Sequence, residues 1–310
     1  PQASCNRWLQ FLDEITEKDK LQQEYIQKLF GYCLAGQRKE QIIIFITGPG
    51  ANGKSVLINT ISKIFGEYAG IINAKALISS NMGSIPSDIA NLYGKRLVTL
   101  SEFPEDAPLN TTLLKSITGG DKLSARHLYQ GWFEFYPEFV VICAMNKIPD
   151  IKEDDIAFYR RLKIIELNRV FSRKEIDKEL SKTLDKEASG IFNWCLEGYI
   201  KYCKEGLNDT KKIKDSLSVF IKKNDPLVDF FRQHIKVTGD PKDYIAVGDM
   251  YKYAQSFSYD LHEKSISMSK LYKFFRSKGF EPKQKRNNYN RIRCFEGLRY
   301  LEISDEDVPF

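Results

Sequence analysis

Apolar positions change period several times along this chain, and each change marks an element. Trp8, Leu9, Phe11, Leu12 and Ile15 share one face at helical spacing, and Tyr25, Ile26, Leu29, Phe30, Cys33 and Leu34 share another. Residues 1–38 therefore predict helices. Residues 42–47 (Ile-Ile-Ile-Phe-Ile-Thr) form an unbroken β-branched run of the kind found in buried strands. Val56, Leu57, Ile58, Ile61, Ile64 and Phe65 restore the helical period, and the polar stretch 81–86 reads as a loop. Short apolar runs at 97–100, 139–144 and 162–167 predict three more strands. Residues 174–205 return to helix, anchored by Ile191, Trp194, Leu196, Tyr199, Ile200 and Tyr202. Strands separated by helices predict an α/β fold with a parallel sheet, whose ligands gather at the strands' carboxyl ends. Residues 206–224 are polar and lysine-rich and predict a linker. After it, helical patterns lead to two short strands near 291–295 and 298–303.

One motif joins the first strand to its helix. Gly48, Pro49, Gly50, Ala51, Asn52, Gly53, Lys54 and Ser55 satisfy G-x-x-x-x-G-K-[ST] at every fixed position, between a strand and a helix as the motif requires. Glycines let backbone N–H groups curl around phosphates, and the helix start adds partial positive charge. Lys54 is placed for the β- and γ-phosphates and Ser55 for Mg²⁺, so ATP and Mg²⁺ are the expected ligands.

Composition narrows the class. A chain of 310 residues that is 42% hydrophobic can bury a full core. No apolar stretch is long enough to span a membrane, and the six cysteines are scattered with no C-x-x-C pair. A zinc or disulfide framework is not expected, and a reducing cytoplasm fits. The net charge of +6 is uneven: residues 264–299 carry eleven Lys/Arg against two Asp/Glu, leaving −3 for the remainder. Such a segment suits a nucleic-acid surface, and equally a solvated charged face.

Other polar candidates follow the strands. Ser101-Glu102 ends the second strand, where a carboxylate can hold Mg²⁺ or orient the attacking water; Ser101 stands where a first acid is usual, which favours Glu102 as the water activator. Asn146, past the next strand, reads as a γ-phosphate sensor or as a turn residue. Residues 115–130 place a Gly-Gly-Asp turn before basic and aromatic residues, which suits contact with a nucleic-acid backbone or a plain surface hairpin. Arg160 and Arg161, just before the last strand of this part, suit stabilisation of phosphoryl charge or a structural salt bridge.

Together, residues 48–55, Ser101-Glu102, 115–126, 146–149, 155–162 and 190–194 resemble the helicase part of viral, phage and plasmid primase–helicases of superfamily 3, in the poxvirus and satellite-phage branch. The match in order and spacing runs over roughly residues 20–205. The resemblance implies an AAA+-like core assembled as a hexameric ring, with ATP bound between neighbours. It implies Lys54 and Ser55 at phosphates and Mg²⁺, Glu102 in Walker B, Asn146 as sensor, and Arg161 ahead of Arg160 as the arginine acting on the neighbour's ATP. Residues 122–132 would carry a DNA-tracking hairpin, with Lys122, Arg126, His127, Tyr129 and Gln130 as candidate contacts. Family members often carry a lysine near that tip; here it reads His127-Leu128-Tyr129-Gln130. Residues 225–305 resemble the winged-helix tail of the family. Leu271, Phe274, Phe275 and Phe280 suit its recognition-type helix, and Lys283, Lys285, Arg286, Arg291 and Arg293 suit phosphate contact.

The expected organisation is a helical segment at 1–38, an ATPase core at 39–205, a linker at 206–224 and a winged-helix-like domain at 225–310. The expected activity is ATP-dependent helicase action on single-stranded and fork DNA. The chain would be the carboxyl-terminal part of a replication protein with a primase or polymerase upstream, working in the host cytoplasm. The rival readings are an AAA+-type initiator or loader without processive unwinding, and a DNA-binding module with a vestigial nucleotide site.

Overall fold

The structure, a computed structural model, describes residues 2–37, 39–78, 86–100, 103–104, 107–149, 151, 156–223, 225–262, 265–287 and 290–301. The chain forms two compact units, residues 1–151 with 155–219, and residues 220–310 with 152–154.

In the first unit, helices α1 (Asn6–Ile15) and α2 (Lys20–Ala35) precede strand β1 (Ile43–Thr47) and helix α3 (Lys54–Phe65). Strand β2 (Ala69–Ile71), helices α4 (Ala74–Leu77) and α5 (Pro86–Ala90), strand β3 (Leu97–Leu100) and helix α6 (Thr111–Gly119) follow. A hairpin of β4 (Leu123–Ala125) and β5 (Phe133–Phe135) leads to β6 (Val140–Met145), α7 (Ile156–Tyr159) and β7 (Leu162–Glu166). Helices α8 (Leu180–Lys186), α9 (Ala188–Glu205) and α10 (Lys211–Lys223) complete the run, and the division between units falls inside α10.

The expected parallel sheet is present, in the order β2-β3-β6-β1-β7, and every pairing in it is parallel. All five residues of β1 and all six of β6 are buried, which explains why these strands read as unbroken apolar runs. Thr47 lies opposite Met145 on one side and Glu166 on the other, and Leu100 lies opposite Cys143. The carboxyl ends of β1, β6 and β3 therefore share one edge, which is where an open α/β sheet binds ligands. This is an AAA+-like core. Among the described residues, no helix is long and apolar enough to cross a membrane.

The N-terminal helices are built into this unit. Asp19 caps α2, its side chain accepting from Gln22 N, and Gly36 closes it in the left-handed conformation at φ +60°. Helix α2 runs along α9 with almost no side chain between the two backbones. A Cβ on Gly31 would lie 2.1 Å from Tyr199 N, and one on Gly198 would lie 2.0 Å from Gln27 O. At this separation Gln27 Nε2 can donate to Trp194 O at 3.0 Å. Gly198→Ala is expected to force the helices apart, at a cost of about 1–3 kcal/mol. Thermal denaturation reads this as a fall in Tm of about 2–4 °C per kcal/mol; an unchanged Tm would mean the helices can separate freely.

Residues 206–224 depart from the linker expectation. Helix α10 occupies most of this span, with Ile213 only 2% exposed and counted in the core of the first unit. Lys212 Nζ donates to Gln22 Oε1 at 2.7 Å, and Asp209 accepts from Lys163 Nζ. The lysines hide an apolar face at Ile213, Leu217 and Phe220, one helical turn apart, which composition alone masked.

The second unit begins with α11 (Pro226–His234), then β8 (Ile235–Val237), β9 (Tyr244–Ala246), α12 (Val247–His262), α13 (Met268–Ser277), β10 (Lys283–Asn287), β11 (Asn290–Glu296) and β12 (Leu298–Tyr300). Asp225 caps α11 through Leu227 N, with Pro226 in the first turn, where its missing N–H costs nothing. Leu227, Phe230, Met250, Leu271, Phe275, Phe295 and Leu298 form its core. The last two strands exist as expected but do not pair with each other. Strand β11 lies between β10 and β9, while β12 pairs with β8. Only Gly297 separates β11 from β12, and one residue is too short to close a hairpin.

Candidate functional site

The loop after β1 is shaped by close approach and by backbone sign. Gly48 has φ +142°, and a Cβ there would lie 2.0 Å from Leu167 O; Gly53 has φ +87° and sits against Ile15 and Phe11 of α1. Ala51 is held at φ +56°. This loop folds back over Lys54, the first residue of α3, whose side chain is only 6% exposed. Lys54 Nζ donates to Gly48 O at 2.7 Å, Pro49 O at 3.0 Å, Asn52 Oδ1 at 2.9 Å and Asn146 Oδ1 at 3.2 Å. All four acceptors are uncharged, so burial of the ammonium is not offset by a carboxylate among them. Its pKa is accordingly pushed below the ordinary lysine value of 10.5.

Above Lys54 opens a cleft of about 530 Å³ lined by Gly50, Gly53, Lys54, Ser55, Asn146 and Lys147, among others. That volume lies within the range of small-molecule sites. Among its described lining residues two are lysines and none is acidic, which suits a polyanion. Mg²⁺ fits here only in company with phosphate oxygens, through the exposed Ser55 hydroxyl at the helix start. Ser101 and Glu102 lie outside the described residues.

Strand β6 delivers Asn146 to the cleft, one residue past Met145. Its side chain accepts from Lys54 there, so Asn146 is a cleft residue as well as a turn residue. Asn52 is 2% exposed and ties the loop to the chain after β7: its Nδ2 donates to Leu167 O at 2.7 Å, and Phe171 N donates to Ala51 O at 2.9 Å. Lys147 and Phe103 also line the cleft and were missed as site residues by sequence. The charge of Lys147, directly after Asn146, was the available signal; Phe103 offered none.

Burial separates the two arginines. Arg161 is 8% exposed, and its Nη1 donates to Ala157 O at 2.6 Å, within its own chain. Arg160 is exposed.

The candidate nucleic-acid contacts fall on two hairpins, one in each unit. Strands β4 and β5 pair Leu123 with Phe135 and Ala125 with Phe133. Lys122 is ion-paired with Glu134 at 3.3 Å, and the Arg126 guanidinium lies 5.0 Å from the Trp132 ring centre. His127 stacks on Phe133, leaving Tyr129 and Gln130 exposed at the tip. In the second unit the hairpin of β10 and β11 pairs Arg286 with Arg291 and Gln284 with Arg293. Register thus puts Arg286, Arg291 and Arg293 on one face, and all three are exposed. Like charges set directly opposite each other are unfavourable unless an anion joins them. Lys283 and Lys285 take the other face and are engaged within the unit. Lys283 pairs with Glu296 at 2.7 Å, which pulls its pKa up, and Lys285 donates to Pro241 O at 2.8 Å.

Comparison with known proteins adds likenesses in sequence and in fold. The model of a family of unknown function, DUF5906, matches residues 46–161, from β1 through Arg161. Relatives that carry the name "Putative helicase" include L207/L206 of Acanthamoeba polyphaga mimivirus and V13 of Sputnik virophage. The first is 31% identical over 261 residues, 78% of this chain and 27% of the relative. The second is 27% identical over 298 residues, 90% of this chain and 37% of the relative. The chain thus spans 27% and 37% of the length of these two relatives. The apo structure of the NrS-1 C-terminal region has the same fold, with a TM-score of 0.59 at 17% identity, covering 96% of this chain and 76% of that one. In sequence, this chain is similar to viral proteins named putative helicases, and in fold, built on an AAA+-like core, it is similar to the NrS-1 C-terminal region.

Proposed function

We propose that the chain is the motor part of a viral replication helicase, moving along single-stranded DNA as a ring of identical subunits that hydrolyse ATP where they meet. The observation that carries this is the buried Lys54 ammonium, held by neutral oxygens from the loop and from Asn146 beneath a cleft with no described carboxylate. Phosphate oxygens would supply the negative charge this ammonium lacks. The loop N–H groups and the α3 N-terminus orient the triphosphate, and Asn146 contacts its far end beside Lys54. Mg²⁺ would neutralise phosphate charge during transfer, with Ser55 as the residue to hold it and Glu102 chiefly to orient the attacking water. Exposed Arg160, rather than buried Arg161, is the arginine able to reach a neighbour's nucleotide. The hairpin of β4 and β5 and the arginine face of β10 and β11 supply the DNA contacts.

The test is ATP hydrolysis by the purified chain, with and without single-stranded DNA, across a protein concentration series, followed by strand displacement on a forked duplex. Turnover is expected to rise with both DNA and protein concentration, because the active site is shared. Negligible turnover alongside tight DNA binding would replace the motor with a binding module. Turnover without displacement would replace it with a loader.

A further inference from the structure

The tip of the β4–β5 hairpin carries a residue in a conformation its own side chain disfavours. Gln130 N donates to His127 O at 3.1 Å, closing a turn whose central residues are Leu128 and Tyr129. Tyr129 sits in it at φ +62°, where glycine is the usual occupant and a ring-bearing residue is strained. The neighbouring glycine, Gly131, lies two positions on and does not relieve it. For this strain the turn gains full exposure of the Tyr129 ring, with Leu128 73% exposed beside it. Strain kept at an exposed position points to a purpose for the side chain held there.

The hairpin's cations are held away from the tip centre. Lys122 is tied to Glu134 at the hairpin base, and the Arg126 guanidinium lies against Trp132, itself 59% exposed. What the tip presents first is aromatic surface, flanked by a cation already stacked on a ring. That arrangement matches unstacked bases better than phosphates, because every base offers a π-face whatever its sequence.

We infer that Tyr129 grips single-stranded nucleic acid by stacking on a base, with Trp132 and Arg126 as a second stacking plate behind it. This rests on the proposed action on nucleic acid and names the contact that action uses. Stacking of this kind releases no counterions, so it adds affinity without steepening the dependence on salt.

The experiment measures binding of the full chain to single-stranded DNA and RNA oligonucleotides containing 2-aminopurine, across a salt series. Wild type is expected to change the probe's fluorescence on binding. Tyr129→Ala and Tyr129→Gly are expected to lose that change and weaken binding about 5- to 100-fold, with the log–log salt slope unchanged. Tyr129→Phe should keep both. Tyr129→Gly should also hold or raise Tm, since glycine accepts the positive φ, so weaker binding could not be blamed on unfolding. As the contrast, Arg286→Gln with Arg291→Gln and Arg293→Gln should flatten the salt slope and leave the fluorescence change. If wild type binds and Tyr129→Ala binds equally with the same fluorescence, stacking is refuted while the nucleic-acid reading stands. If wild type binds neither strand, both fall.

Discussion

Lys54→Ala is expected to lower ATP turnover about 10²–10³-fold or more, on the scale of losing one preorganised charge-stabilising donor. Nucleotide affinity should fall with it, because Lys54 is one of the two lysines lining the cleft and the one buried beneath it. Binding to DNA should persist, since the arginine face of β10 and β11 belongs to a unit with its own core. Loss of both activities together, with a lowered Tm, would show that the variant had unfolded; loss of both with Tm intact would show that the two functions cannot be divided. The depressed pKa of Lys54 adds a pH signature. Phosphate favours the charged ammonium, so above the free-site pKa binding must take up a proton. Nucleotide affinity should then decline by up to about tenfold per pH unit, beginning below the ordinary lysine value of 10.5. Lys54→Ala should abolish that decline.

Arg160→Ala is expected to have the larger effect on hydrolysis, about 10³–10⁵-fold, while nucleotide binding to the isolated subunit stays intact. The separation is expected from place: the cleft is built within one chain, and in the proposed ring the exposed Arg160 would act on a neighbour's site. Mixing Arg160→Ala subunits with Glu102→Gln subunits should restore part of the turnover, because some interfaces then combine an intact Glu102 with an intact Arg160. No rescue in the mixture would sink the trans assignment. Arg161→Ala supplies the contrast. Its side chain is buried and donates to Ala157 O. Its loss should appear chiefly as a lower Tm, typically by the equivalent of about 1–3 kcal/mol.

The strands and the glycine-rich loop after β1 were legible because each is written in adjacent residues. A fully buried parallel strand must be apolar along its length, as 43–47 and 140–145 are. The loop's glycines at 48 and 53 are required by positive φ and by a carbonyl 2.0 Å from where a Cβ would stand. The basic balance of residues 264–299 was equally plain. What misled was composition read without periodicity: the lysines of α10 suggested a linker, although Ile213, Leu217 and Phe220 recur at helical spacing.

The sequence by itself determined where the glycine-rich loop would turn into a helix, which runs would become strands and which end of the chain would be basic. Those properties follow from local backbone geometry and local charge. Only the tertiary structure decided which of two adjacent arginines is exposed, which partners β11 and β12 choose, and which hairpin cations are already engaged. It also brought Asn146 onto Lys54, and Leu167 onto Asn52, across 92 and 115 residues of chain. Burial and partnership depend on segments far apart in sequence, and a short-range pattern carries no information about them.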